Sequence, residues 1–379
     1  MKKIQMVDLK SQYKKIQAQI NNSIENVINS TAFINGPEVK SFQNNLEKFL
    51  DVKHVIPCGN GTDALQISLM SLDLKPGDEI ITPDFTFIAT AEVIAFLGLK
   101  PVFVDVEPGS FNISPDSVKK SLSTKTKAIV PVHLFGQCAN MTEINNIAKE
   151  NNLFVIEDTA QALGAEYFSG NGLKNKAGTL GDIGTTSFFP SKNLGAYGDG
   201  GAIITNSDDL AKKIRFIGNH GMEKKYYHDS IGVNSRLDTI QAAILNVKLK
   251  YLDEYNRSRQ KAAAFYDEAF QNLENITIPY RNKFSTHIFH QYTILTNPEL
   301  RDPLRNHLAQ NDIPSMIYYP VPLHRQKAFG SNHGFDNKMF PVTKNLSQCV
   351  LSLPMHTELE IEQLNYIVNH VINFFHNHK

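Results

Sequence analysis

A lysine in a glycine-rich turn is the first residue whose surroundings suggest chemistry. Lys192 lies in TTSFFPSKNLGAYGDGGAI, from Thr185 to Ile203, where Asp199 is the only other charged residue. A lysine removed from water has a lowered pKa and can form a Schiff base with a carbonyl compound. A surface lysine in a loop is the ordinary alternative, but the glycines allow close backbone packing around a ligand. The stretch therefore predicts a nucleophilic lysine in a ligand-binding turn.

A carboxylate and an amide follow an apolar, strand-like run. Asp158 ends FVIED, and Gln161 lies three residues further along the chain. In open α/β sheets, ligands bind beyond the carboxyl ends of the strands. A carboxylate at that place can hold a ring nitrogen protonated, and the glutamine can donate a hydrogen bond to the same ligand. Two alternatives stay open, namely Asp158 as the N-cap of a helix starting at TAQAL and Gln161 as a solvated helix residue.

A third segment, CGNGTDAL from Cys58 to Leu65, is a glycine-rich turn that opens a helix. Free backbone N–H groups and the helix dipole favour a phosphate there, although an ordinary turn and helix cap would use the same residue types. The segment matches neither the dinucleotide fingerprint nor the P-loop. A pyridoxal phosphate site requires three parts together: a phosphate cradle, a carboxylate for the pyridine nitrogen and a Schiff-base lysine.

The elements that must position these residues alternate between strands and helices from about residue 53 to 206. Helical patterns separate short apolar runs, which read KHVIPC, EIITP, PVFVD, KAIVPV and LFVIED. Runs that are apolar throughout are typical of strands buried on both faces of a parallel sheet. We therefore predict an α/β fold with a mostly parallel central sheet flanked by helices.

A second, smaller unit follows a long amphipathic pattern that runs from near Ser235 to about Phe270 with a break. It contains the strand-like runs IFHQYTILT and SMIYYP (Ser315 to Pro320), a helix after Asp302 and a closing helix from about Glu358. We predict a large cofactor-binding domain over residues 1–250 and a small C-terminal α+β domain over residues 251–379.

Composition excludes several classes of protein. The 379 residues include 38 Lys+Arg and 38 Asp+Glu, so the formal net charge is zero. A dedicated nucleic-acid binder needs a basic surplus, and a disordered chain would have fewer than 41% hydrophobic residues. The three cysteines lack metal-ligand spacing, so we expect no metal site. We find neither a signal peptide nor a membrane-spanning run and expect a cytoplasmic protein.

Across most of its length the chain resembles the DegT/DnrJ/EryC1/StrS sugar-nucleotide aminotransferases, which have the aspartate-aminotransferase type (type I) fold. Blocks in the same order carry the resemblance: FINGPEVKSFQNNLEKFL, NGTDALQ, PDFTFIATAEVI, PVFVDVEPGSFNI, PVHLFGQCANM, VIEDTAQALGAEY, SFFPSKNLGAYGDGGAI and IGVNSRLDTIQAAIL. Some relatives are dehydratases with a His in place of the cofactor-binding lysine. Lys192 is present, which favours the transaminase branch.

The resemblance implies a role for each matching position around pyridoxal phosphate. Lys192 would bind its aldehyde carbon, Asp158 would pair with its ring nitrogen, and Gln161 would contact its ring hydroxyl. The remaining implied contacts are Ser187 and the backbone of Thr62 and Asp63 to the phosphate, Phe87 stacked on the ring, and Asn234 reaching the phosphate from the neighbouring subunit. Arg236 would enter the same shared site and contact the substrate, so the active unit would be a homodimer. Phe87 as plain core and Arg236 as a helix cap stay open.

The resemblance also implies two substrates, L-glutamate as amino donor and a nucleotide-linked keto-sugar as acceptor, in the synthesis of amino sugars for lipopolysaccharide or O-antigen. The blocks SMIYYPVPLHRQKAF and VLSLPMH look most like those of relatives that aminate C3, either of UDP-2-acetamido-3-keto-glucuronate or of a dTDP-3-keto-6-deoxyhexose. Tyr319, His324 and Arg325 would line the sugar site, although a plain loop role is open for each. Amination at C4 and a regulatory protein that binds the cofactor without turnover remain the alternatives.

Overall fold

The central element of the computed structural model, which describes residues 1–170, 172–329 and 337–377, is a seven-stranded sheet. Its strands are β1 (His54–Cys58), β2 (Glu79–Pro83), β3 (Lys100–Val104), β4 (Thr126–Ile129), β5 (Phe154–Asp158), β8 (Ile183–Ser187) and β9 (Gly201–Thr205). A separate two-stranded ribbon joins β6 (Glu166–Phe168) to β7 (Lys174–Lys176). Each of the five predicted apolar runs forms a strand of the large sheet, which confirms the predicted α/β class.

The spatial order of the large sheet is β1-β9-β8-β5-β4-β2-β3. Its pairs are parallel except where β9 runs antiparallel between β8 and β1. Neighbouring residues on one strand point into different cores: Ile80 packs on one face and Ile81 on the other. Both faces are therefore apolar and covered, as the uninterrupted hydrophobic runs predict.

Helices cover both faces of the sheet. In the first part of the chain they are α1 (Leu9–Ser30), α2 (Pro37–Leu50), α3 (Gly61–Met70), α4 (Ala89–Phe96), α5 (Pro115–Ser121), α6 (Met141–Glu150), α7 (Asp208–Gly218) and α8 (Thr239–Leu249). Side-chain oxygens accept from the first-turn amides of several of them, for example Ser114 at α5 and Ser207 at α7. These caps fix where the helices begin and so where the preceding loops end.

The second unit has its own antiparallel sheet and core. Strands β10 (Ile276–Thr277), β11 (Tyr292–Thr296) and β12 (Val350–Leu353) pair in that order, and helices α9 (Leu252–Phe270), α10 (Pro298–Gln310), α11 (Pro341–Cys349) and α12 (Ile361–Asn377) accompany them. The long amphipathic pattern is indeed broken, between α8 and α9. The predicted smaller α+β unit is present. Ile4 also packs into its core, and the division at residue 250 stays a prediction.

One predicted strand of this unit is wrong. SMIYYP contributes only an isolated bridge between Met316 and Ser352, and it is otherwise irregular. The reason is that Tyr318 and Tyr319 turn into the wall of a cavity instead of continuing a ladder.

The described residues contain no helix long and apolar enough to cross a bilayer.

Candidate active site

A cavity of about 800 Å³ lies beyond the carboxyl ends of the parallel strands. Residues that follow β2, β4, β5 and β8 contribute to its wall, together with the first turn of α3 and the turn before β9. The segments around residues 290 and 318 complete the wall from the second unit. Among the site residues expected from the sequence, the lining includes Thr62, Asp63, Phe87, Asp158, Gln161, Ser187, Lys192 and Tyr319.

Lys192 lies on the connection between the antiparallel neighbours β8 and β9. Its amide donates to the Phe189 carbonyl (2.8 Å), which closes a tight turn. Lys248 donates to the Gly195 carbonyl (2.5 Å) and anchors the turn to the helices behind it. Burial lowers the pKa of Lys192 to about 8, while the charge of Asp158 opposes the shift. About a tenth of the amine is therefore uncharged near neutral pH, far more than for an ordinary lysine, and the uncharged form is the nucleophile.

Asp158 ends β5 as a buried carboxylate that points toward the same cavity as Lys192. Its Oδ2 accepts from the Thr90 hydroxyl (2.9 Å), and its Oδ1 accepts from the Ala160 amide (3.1 Å). The alternative of a helix that starts at TAQAL is not found, because residues 160–164 form turns that end at Gly164 with a φ of +92°. Asp158 is thus not a helix N-cap, and the carboxylate stays available to a ligand.

The first turn of α3 and the end of β8 approach each other unusually closely. A Cβ added to Gly61 would lie 2.7 Å from the Ser187 Cβ, so only glycine fits. Asn60 caps the helix by accepting from the Asp63 amide (2.8 Å). That amide therefore has a partner within the chain, whereas the resemblance implies that it contacts the phosphate. The Thr62 amide belongs to the first turn, where N–H groups have no intrahelical acceptor. The Thr186 hydroxyl is buried without a hydrogen-bond partner among the described residues, as in an anion cradle.

Gln161, Phe87 and Tyr319 form the aromatic and amide part of the wall. Gln161 is held at both ends: its Oε1 accepts from the Phe135 amide (2.7 Å), and its Nε2 donates to the Tyr319 hydroxyl (3.1 Å). Phe87 is 56% exposed, and its ring centroid lies 6.4 Å from that of Tyr319. Phe87 is therefore not plain core, because one ring face is open to the cavity.

Four of the expected residues lie outside this wall. Asn234, Arg236 and Arg325 are exposed on the surface of the chain. His324 is buried: its Nδ1 lies 2.6 Å from Asp84 Oδ2, and its amide donates to Asp84 Oδ1 (2.7 Å). Asp84, directly after β2, thus holds the ring of His324, and the role of that histidine at the sugar site stays a prediction.

The cavity also contains residues that sequence reasoning missed. His290, Gln291, Tyr318 and Thr186 contribute to its lining. His290 and Gln291 belong to IFHQYTILT, whose alternating pattern suggests only a strand. The regular strand begins later, at Tyr292, so the two residues before it are free to face the cavity. No local signal distinguishes them from ordinary strand residues.

A sequence profile of the DegT/DnrJ/EryC1/StrS aminotransferase family matches residues 14–372. The chain belongs to this family. It is 46% identical to the "Pleiotropic regulatory protein" of Geobacillus stearothermophilus, over 98% of each chain. It is 42% identical to the UDP-2-acetamido-2-deoxy-3-oxo-D-glucuronate aminotransferase of Pseudomonas aeruginosa, over 96% of this chain and 98% of the relative. The crystal structure of S. venezuelae DesV with a ketimine intermediate superposes with a TM-score of 0.94, at 34% identity and 99% coverage of both chains.

The protein is therefore an aminotransferase that depends on pyridoxal phosphate. Its own residues fit that cofactor. Four features lie around one cavity. They are the close approach of Gly61 to Ser187, the Thr186 hydroxyl without a partner among the described residues, the exposed ring of Phe87, and the Lys192 amine with its lowered pKa. When bound, the cofactor supplies an aldehyde and an electron-accepting ring.

Proposed function

We propose that this protein transfers an amino group from L-glutamate to the C3 ketone of a nucleotide-linked keto-sugar. UDP-2-acetamido-3-keto-glucuronate is the leading acceptor and a dTDP-3-keto-6-deoxyhexose is the second. One observation carries the proposal: Lys192 and Asp158 face the same cavity in a chain that is 42% identical to an aminotransferase named for a UDP-linked 3-oxo-glucuronate.

We further propose which residues act on the cofactor. Lys192 would bind the aldehyde carbon and, once released, carry the proton between carbons as a free amine. Asp158 would hold the ring nitrogen protonated, and the Thr90 hydroxyl keeps that carboxylate oriented. Ser187 and the first turn of α3 would hold the phosphate, and Phe87 would cover the ring. Gln161, already fixed through Tyr319, would contact the ring hydroxyl.

The charges of the cavity support a shared site. Within the described part of the chain, the lining contains three carboxylates, of Asp63, Asp158 and Asp199, and one ammonium or guanidinium group, that of Lys192. Glutamate carries two carboxylates and the leading acceptor carries another, so a further cation is needed. Arg236 is exposed and is not among the residues that line its own cavity. In a homodimer it would reach the cavity of the partner.

The surface around that arginine also favours a second copy of the chain. Tyr226 and Ile231 are 79% and 84% exposed, and both precede Asn234 and Arg236 on one segment. Two large apolar side chains so strongly exposed on one segment favour an association surface. Ser235 ties the segment to the phosphate cradle, since its hydroxyl donates to Asp63 Oδ2 (2.6 Å). We therefore propose that Asn234 and Arg236 belong to the neighbouring active site.

We place this reaction in the cytoplasm, in the supply of amino sugars for a surface polysaccharide such as lipopolysaccharide O-antigen. Cys58, Cys138 and Cys349 are free thiols, which suits a reducing compartment.

The test is an assay of the holoenzyme with L-glutamate against purified UDP- and dTDP-linked 3-keto and 4-keto sugars. Formation of 2-oxoglutarate reports turnover, and NMR of the product reports the aminated carbon. A C3 amine on a UDP-linked 3-keto sugar supports the proposal, and a C4 amine would replace it. Cofactor binding without turnover on the whole panel would favour the regulatory role for which the Geobacillus stearothermophilus relative is named.

A further inference from the structure

His290 is a buried polar side chain in the wall of the cavity that none of the proposed roles uses. It is 6% exposed and lines the same cavity as Lys192. Its Nδ1 is buried and finds no hydrogen-bond partner among the described residues. A buried nitrogen left unpaired is destabilising, so its retention calls for a functional explanation.

The backbone around His290 is held rigidly. The Arg259 guanidinium donates to the carbonyls of Phe289 (3.1 Å), His290 (3.3 Å) and Met355 (3.0 Å). Gly136, at φ +108°, packs so closely that an added Cβ would lie 3.0 Å from the His290 amide nitrogen. Phe289 has a φ of +48°, a conformation that a phenylalanine keeps only where its surroundings impose it. The imidazole is thus positioned before any ligand arrives.

Burial and two nearby positive charges keep His290 neutral. Burial is the main cause that holds its pKa well below the ordinary value, and the nearby Lys192 and Arg259 add to the shift. A neutral imidazole offers one donor and one acceptor, and it carries no charge to attract a carboxylate. Lys192 belongs to a connection of the large sheet, and the other residues that the second unit contributes to the wall are uncharged: Gln291, Tyr318 and Tyr319. This side of the cavity therefore complements hydroxyl and amide groups better than it complements an amino acid.

We propose that His290 is a specificity residue for the acceptor, and that it hydrogen-bonds an uncharged polar group of the sugar. This inference rests on the proposed function, because it assumes a sugar acceptor. It separates the two halves of the reaction: the acceptor half needs the His290 hydrogen bond, and the donor half with glutamate does not.

The test compares holoenzyme variants in the two half-reactions, each followed by cofactor absorbance in single turnovers. His290→Leu should lower kcat/KM for the sugar about 10- to 100-fold, as expected for one lost buried hydrogen bond. The same variant should change kcat/KM for L-glutamate less than about twofold. His290→Gln should restore most of the loss, because an amide can also donate and accept.

A matched control exists on the other side of Arg259. His356 is also buried and neutral, and burial is the main cause that lowers its pKa to about 4. Its Nε2 has no hydrogen-bond partner in the described part of the chain, but His356 does not line the cavity. His356→Leu should leave the ratio of the two half-reactions unchanged. A readout independent of turnover is the ¹³C resonance of His290 in histidine-labelled enzyme that carries the aminated cofactor, pyridoxamine phosphate, with which neither amine can react. It should shift when the purified amino-sugar product is added, and should not shift with L-glutamate.

Equal slowing of both half-reactions, loss of cofactor binding, or an unmoved His290 resonance with the product would overturn the inference. If His290→Leu does not fold, His290→Gln and the resonance decide. Wild-type turnover with an unaffected His290→Leu would defeat this inference alone. Absence of wild-type turnover on the whole sugar panel would defeat the proposed function and this inference with it.

Discussion

Lys192 experiences two opposing influences, and their balance sets its reactivity. Burial disfavours the ammonium form, whereas the Asp158 carboxylate in the same cavity favours it. Because burial is the larger cause, the pKa falls from its ordinary value to about 8. Only the uncharged amine attacks a carbonyl, so the reaction of the apoprotein with the cofactor aldehyde must follow this titration.

We expect the rate of cofactor capture by the apoprotein to rise with pH up to about 8 and to level off above it. The sign follows from the lowered pKa, because each pH unit below it reduces the free amine about tenfold. Stopped-flow absorbance at a fixed concentration of pyridoxal phosphate measures the profile. Lys192→Ala should abolish the rapid phase and the lysine adduct trapped by borohydride, whereas Lys212→Ala, which removes an exposed lysine, should change neither. A midpoint near 10 would contradict a desolvated Lys192.

At the scale of single residues, sequence reasoning reached those whose neighbours in the chain mark them. Lys192 lies among glycines and Asp158 ends an apolar run, so local context selects both, and the structure brings them to one cavity. His324 and His290 are the opposite case. Asp84 binds His324, which is not among the lining residues, while Arg259 and Gly136 hold the backbone of His290 at the cavity. Partners so distant along the chain leave no local pattern.

At the scale of elements, the phosphate cradle depends on two backbones approaching without a side chain between them. Gly61 of α3 faces Ser187 of β8, and the contact distance leaves no room for a methyl group. A Cβ must push the helix away from the strand or displace the Ser187 side chain.

Gly61→Ala should therefore weaken pyridoxal phosphate binding by about 10- to 100-fold, the effect of 1–3 kcal/mol of overpacking. Titration of the apoprotein, followed by cofactor absorbance, gives the dissociation constants. Gly170→Ala is the matched control, because an added Cβ there meets nothing within 4 Å. Unchanged affinity in Gly61→Ala would mean that the phosphate does not bind between α3 and β8.

A second inter-element contact joins the large sheet to α11. Asp105, directly after β3, accepts from the amides of Val342 (2.9 Å) and Thr343 (2.8 Å) and from the Thr343 hydroxyl (2.8 Å). A carboxylate from a distant strand thus serves as the cap of a helix that leads directly into β12. It links the two units independently of the cavity.

Asp105→Ala should lower the free energy of unfolding by about 1–2 kcal/mol, the usual effect of a lost helix cap. Urea unfolding of holoenzyme at a fixed cofactor concentration measures it, since bound ligand itself adds stability. The control is Asp116→Ala, which removes an exposed carboxylate from the first turn of α5 and should change stability by less than about 0.5 kcal/mol. Equal effects of the two variants would contradict the capping role.

The strands of the large sheet were predictable because burial on both faces gives an unbroken apolar run. The failures lie at SMIYYP and TAQAL, where local pattern and tertiary structure disagree. Tyr318 and Tyr319 have strand-like composition but line the cavity, and the residues after Asp158 enter a turn that ends at Gly164. Both segments border the candidate site, where ligand contacts outweigh intrinsic propensity.

At the scale of the whole molecule, the proposed shared site makes a prediction that no monomer could fulfil. Lys192→Ala and Arg236→Ala should each be nearly inactive as homodimers. When the two variants are co-expressed and purified together, the pool should recover about a quarter of wild-type activity per chain. The reason is that half of the dimers are mixed, and each mixed dimer has one intact site out of two. Two-tag purification isolates the mixed dimer, and analytical ultracentrifugation establishes its size. Mixed dimers without activity would mean that Arg236 acts within its own chain, and an active Arg236→Ala homodimer would mean that Arg236 has no part in the reaction.

Strand β9 has a consequence for how the protein matures. It is inserted between β8 and the much earlier β1, with His54 paired to Thr205, and Gly201 packs against the backbone of Asn60 at the start of α3. Closing so long a loop is slow relative to local pairing. A chain emerging from the ribosome would therefore lack a vitamin-binding pocket until β9 had been translated and inserted, so that capture of the vitamin reports the insertion of this strand.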